Sequence, residues 1–91
     1  MPARKISITG HVQGVFFRAH TEEKARELEL SGWVRNTEKN GVEIHAEGPE
    51  NALRKLEEWC YQGPPAAIVE GVHVEDAEEE GCQGFGIRYG L

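Results

Sequence analysis

Residues 33–47 leave the backbone few options. Trp33-Val34-Arg35-Asn36-Thr37-Glu38 reads as a strand, and Val42-Glu43-Ile44-His45-Ala46-Glu47 alternates, with Val42, Ile44 and Ala46 on one face. Lys39-Asn40-Gly41 separates them. An Asn-Gly pair tolerates the positive φ that tight hairpin turns demand, so the two runs are predicted to pair antiparallel. With that hairpin fixed, the other segments must extend its edges or cover a face.

The flanking segments do both. Arg4-Lys5-Ile6-Ser7-Ile8-Thr9-Gly10 alternates, with Ile6 and Ile8 on one side, and reads as a half-buried strand. From about Phe17 to Ser31, Thr21, Ala25 and Leu28 recur at helical spacing against a charged face, and Gly32 is the expected stop. A second helix opens at Gly48-Pro49 and runs to about Gln62, with Leu53, Leu56, Trp59 and Cys60 on one stripe. Gly63-Pro64-Pro65 ends it. Ile68 to Glu75 reads as a strand, Asp76 to Glu80 as a solvated acidic loop, and Phe85 to Tyr89 as a last strand. Phe17, Trp33 and Trp59 are expected in the core.

The order β-α-β-β-α-β with one further strand is an α+β arrangement, the ferredoxin-like split βαβ plan: an antiparallel sheet, two helices on one face and an additional C-terminal strand. No internal repeat or linker divides residues 1–91, so a single domain is expected. In this plan the first strand is central and the second runs parallel to it, with the third between them. The C-terminal ends of the first two strands therefore meet one edge. That brings Asn36 to the edge where the Gln13–Arg18 loop lies.

Gly10-His11-Val12-Gln13-Gly14-Val15-Phe16-Phe17-Arg18 is a strand-to-helix connection, and such a connection aims unpaired backbone N–H groups at one spot. Gly14 can curl the backbone into a nest of donors, and Arg18 adds a fork of N–H groups suited to phosphate or carboxylate oxygens. A cation at a helix start works against the dipole unless an anion joins it. The formal net charge of −6, from 16 acidic and 10 basic residues, disfavours nucleic acid, so the loop suits one small anion.

Met1-Pro2-Ala3-Arg4-Lys5-Ile6 is followed by no apolar signal segment and no run approaches a membrane span, so a cytoplasmic protein without membrane partners is expected. Cys60 and Cys82 have no C-x-x-C spacing and read as reduced thiols. His11, His20, His45 and His73 show no i,i+4 or H-x-H spacing, so no metal site is expected among them. His20 reads as a solvent-facing helical residue, with the rim of the anion site as the other option.

Gly10-x-Val12-Gln13-Gly14-Val15-x-Phe17-Arg18, then Thr21, Ala25, Leu28 and Leu30, then Gly32-Trp33-Val34-x-Asn36-Thr37 and Gly41-Val42-Glu43, together resemble the acylphosphatase family. The resemblance implies a hydrolase without metal or other cofactor that splits the carboxyl-phosphate bond of small acyl phosphates. It implies that Arg18 binds phosphate, that Asn36 positions the attacking water and that Thr37 supports Asn36. Gln13, Gly14, Val15, Phe16, Phe17 and Arg18 would form the substrate cradle. A substrate phosphate oxygen would accept the water's proton, and inorganic phosphate would be product and inhibitor of a monomeric enzyme.

The chemistry is consistent with that implication. An acyl phosphate carries its own good leaving group, so positioning and charge stabilisation can suffice, and the loop motif holds no nucleophile with its base. Two alternatives stay open on the residues: a non-enzymatic small-anion-binding ferredoxin-like module, and a carbamoyl-phosphate hydrolase or partner domain of a larger protein. A chain ending at Leu91 without zinc-like cysteine clusters favours a free-standing enzyme.

Overall fold

The computed structural model describes residues 2–89. Its elements run β1 (Ala3–His11), α1 (Phe17–Glu27), β2 (Ser31–Asn36), β3 (Val42–Glu47), α2 (Glu50–Gln62), β4 (Ile68–Ala77) and β5 (Phe85–Arg88). The strands form one sheet in the order β4-β1-β3-β2-β5. β1 pairs antiparallel with β3 and β4, and β2 pairs antiparallel with β3. The added strand β5 joins β2 in parallel, which makes the sheet mixed. No helix among the described residues is long and apolar enough to cross a membrane.

The core follows from strand register. Ile6 lies opposite Ile44, which lies opposite Val34, and Ile8 lies opposite Val42. All five side chains are buried on the face that the helices cover, with Phe17, Leu53, Leu56 and Cys60. Burial and Glu57 push the Cys60 thiol up to about 12, so it packs there as a small apolar group. In the turn, Asn40 takes φ 64°, and the Thr37 N–H donates to the Gly41 carbonyl at 3.0 Å.

Several local expectations are corrected. α1 ends at Glu27, short of Ser31, because Glu29 takes φ 59° and closes a Schellman motif. The Leu30 N–H donates to Ala25 O at 2.9 Å, and the Glu29 N–H donates to Arg26 O at 3.0 Å. Gly32 is therefore no helix stop; it lies inside β2, where a Cβ would sit 1.8 Å from the His45 carbonyl oxygen. Gly10 and His11 belong to β1, where the pairing with β4 shifts between Thr9 and Gly10, so the loop proper begins at Val12.

Trp33 leaves the expected core because Gly32 and Val34 take the helix face of β2, and alternation sends its ring to the other. There it stacks on His45 with ring centroids 5.7 Å apart. Trp59 is half-buried and meets Phe17 at 5.4 Å between centroids. The acidic run is only partly a loop, since β4 extends through Asp76 and Ala77 in register with Arg4 and Ala3. Beyond it, Glu80 folds back over the open face and accepts a hydrogen bond from Trp33 Nε1 at 3.0 Å.

Candidate active site

The connection from β1 to α1 is short and contorted. Gly14 takes φ 75° and Phe16, the residue preceding the helix, takes φ 62°. Two left-handed residues so close together curl the backbone, and glycine is favoured at the first because it has no Cβ to clash. The first turn of α1 has neither a side-chain cap nor an acidic residue. Its leading N–H groups thus keep their capacity for an external acceptor.

A cleft of about 250 Å³ opens beside this turn, lined by Val12, Gly14, Phe16, Phe17, Arg18, Ala19, Asn36, Ile87 and Tyr89. Asn36 is the last residue of β2, and β2 runs parallel to β1 with β3 between them, so its side chain enters at the same sheet edge as the loop. Among the described residues the Asn36 amide has no protein hydrogen-bond partner. The Arg18 guanidinium lies over the Tyr89 ring, 5.1 Å from its centroid. None of the described lining residues is a carboxylate or a histidine.

Other residues named in the sequence pattern stand around the cleft. Gln13 turns its side chain away from it, and Nε2 donates to the carbonyl oxygens of Thr37 at 2.9 Å and Gly41 at 2.8 Å. Thr37 closes the β2–β3 turn, its hydroxyl oxygen accepting from the Gly41 N–H at 3.1 Å. Val15 is buried in the core and anchors the loop. His20 is exposed, with Nδ1 2.9 Å from the Phe16 carbonyl oxygen, and does not line the cleft.

Sequence reasoning missed Ile87 and Tyr89. Their presence depends on β5 pairing in parallel with the far edge of β2, a long-range choice that no local pattern encodes. The nearest signal was the apolar and aromatic run Phe85 to Tyr89 itself.

Topology and cleft together define a class: a ferredoxin-like α+β domain with an arginine and an asparagine brought to one end of the sheet beside a helix N-terminus. Within that class the comparisons are specific. The acylphosphatase family model matches residues 4–87. An acylphosphatase of Haloquadratum walsbyi is 49% identical over 83 residues, covering 91% of this chain and 89% of that protein. One from Thermotoga maritima is 47% identical over 89 residues, covering 98% of this chain and 99% of that one. The crystal structure of acylphosphatase from Bacillus subtilis matches with a TM-score of 0.94 at 40% identity, covering 98% of this chain and 100% of that one. The chain belongs to the acylphosphatase family, and its activity is acyl phosphate hydrolysis.

Proposed function

We propose that a water directed by Asn36 attacks the phosphoryl group of a small acyl phosphate held by Arg18 and the backbone N–H groups of the Gln13–Arg18 loop. The observation that carries this reading is the shared cleft, in which Arg18 and Asn36 meet Gly14 and the uncapped start of α1. A new bond forms between the water oxygen and phosphorus as the bond from phosphorus to the acyl oxygen breaks. The carboxylate departs with the electron pair, and the water's proton passes to a phosphoryl oxygen of the substrate itself.

Little more is needed, because the leaving carboxylate is stable and the barrier yields to alignment and charge stabilisation. Arg18 and the loop amides accelerate the step to the extent that they bind the transition state more tightly than the substrate. The Asn36 amide oxygen accepts from the water while its NH2 group can donate to a phosphoryl oxygen, which fixes the line of attack. Gln13 and Thr37 are positioning residues that hold the two halves of the site together. The acyl end lies against Phe16 and Tyr89, both largely exposed, which suits a small group held with little selectivity.

The same reading makes inorganic phosphate both product and inhibitor of a monomeric cytoplasmic enzyme without nucleic-acid or membrane partners. The acidic balance disfavours a nucleic-acid partner, and the two free cysteines suit a reducing compartment. Phosphate release from an aryl acyl phosphate in the presence of excess chelator tests the mechanism. Undiminished turnover supports it, and activity lost on chelation and restored by metal contradicts it.

A further inference from the structure

The open face of the sheet carries a second set of chemically active side chains, remote from the cleft. Asn36 pairs with Val42 at the start of β3, whereas His45 and Glu47 lie towards its end. Both are buried, at 4% and 6% exposure, and His45 Nε2 is 2.6 Å from Glu47 Oε2. The segment between β4 and β5 closes over them. The Glu80 N–H donates to Glu47 Oε2 at 2.5 Å and the Cys82 N–H donates to Oε1 at 3.2 Å. One donor atom each from His45, Glu47 and Cys82 then lies within 4.8 Å of the others.

Ordinary packing accounts for part of this. A buried imidazole needs a polar partner, and Glu47 supplies one. It does not account for a thiol brought to the same point, with Cys82 Sγ 4.0 Å from Glu80 Oε1 and close to both His45 and Glu47. The rest of the imidazole environment also suits a ligand: Nδ1 faces Glu80 Oε2 at 4.0 Å, Trp33 stacks on the ring, and the two backbone N–H groups fix the Glu47 carboxylate. Carboxylates facing the second nitrogen of a ligating histidine, and donors that orient a ligating carboxylate, are the usual supports of a metal centre.

We propose that His45 Nε2, a Glu47 carboxylate oxygen and Cys82 Sγ bind one divalent transition-metal ion of the Zn²⁺ type. Mixed nitrogen, oxygen and sulfur donors suit a borderline ion in tetrahedral geometry, and the partial exposure of Cys82 leaves a fourth position for water. Binding needs a free Nε2 lone pair and a thiolate, so the Nε2 proton moves to Nδ1 or to solvent and the thiol proton leaves to solvent. The nitrogen and oxygen spread from 2.6 Å to roughly 3.3 Å, the separation set by bonds of about 2.0–2.1 Å, while the sulfur, within 4.8 Å of them, closes to roughly 3.5 Å. The ion would fasten the segment carrying Glu80 and Cys82 to β3, and would take no part in the chemistry of the cleft.

Titration of the whole chain with Co²⁺, followed by Zn²⁺ competition, tests this. One Co²⁺ per chain should bind with a thiolate-to-metal charge-transfer band, and Zn²⁺ should displace it and raise the unfolding temperature. Cys82→Ser keeps the backbone N–H to Glu47 and should keep acylphosphatase activity, which reports an intact fold. It should lose the band and bind Zn²⁺ more than about tenfold more weakly; His45→Gln should weaken Zn²⁺ similarly but keep the thiolate band at saturating Co²⁺. Absence of stoichiometric binding, a Co²⁺ complex without the thiolate band, or unchanged Zn²⁺ affinity in Cys82→Ser would each overturn the proposal.

Discussion

Gln13 Nε2 donates to the Thr37 carbonyl oxygen at 2.9 Å, tying the loop that leads to Arg18 to the strand end that carries Asn36. Its second bond, to Gly41 O at 2.8 Å, fastens the same loop to the hairpin turn. Gln13→Ala removes both bonds while leaving every lining residue of the cleft in place. Stability in urea should fall by about 1–3 kcal/mol, and turnover should fall roughly 10- to 100-fold because Arg18 and Asn36 lose their fixed relation. Steady-state kinetics beside denaturation curves separate the two effects.

Arg18 supplies the one charged side chain among the described residues of the cleft. Arg18→Ala should weaken binding of inorganic phosphate by about 1.5–3 kcal/mol, or roughly 10- to 150-fold. Arg18→Lys should not restore the loss, since a single ammonium cannot reproduce the planar fork. Calorimetric titration with phosphate reads this directly and does not depend on residual activity.

Gly32 tests the sheet rather than the site. A Cβ there would lie 1.8 Å from His45 O and 2.8 Å from the His45 carbonyl carbon, both backbone atoms, at φ 140°. Gly32→Ala should therefore push β2 from β3 and lower stability by at least about 2 kcal/mol. A change within about 0.5 kcal/mol would mean that the strands do not approach so closely.

The topology was legible because its local signals agree. Asn40-Gly41 set the hairpin, alternation in 4–10 and 42–47 set two faces, and the apolar stripe through Leu53 and Leu56 set the covering helix. From that topology alone, Asn36 had to approach the Gln13–Arg18 loop, and Asn36 and Arg18 do share a cleft. What escaped depends on contacts distant in sequence. Gly32 looked like a helix stop because its real constraint is the backbone of β3. Trp33 looked like core because a large aromatic is usually buried; alternation with Gly32 and Val34 instead puts it on the open face, where its ring meets His45. The grouping of His45 and Glu47 with Cys82, 37 positions beyond His45, arises only when the segment after β4 folds back. Histidine spacing could not anticipate it.

The role of Asn36 is the part of the mechanism that separates water positioning from phosphate binding. Asn36→Ala should leave the affinity for inorganic phosphate within about twofold while lowering kcat by roughly 10²-fold or more, as expected for a contact used mainly in the transition state. The direct test measures both quantities on the same preparation, kcat with an aryl acyl phosphate and Kd for phosphate by titration. A large fall in kcat at constant Kd is the predicted result. Full turnover, or a loss of phosphate affinity that accounts for the whole fall in rate, would contradict it.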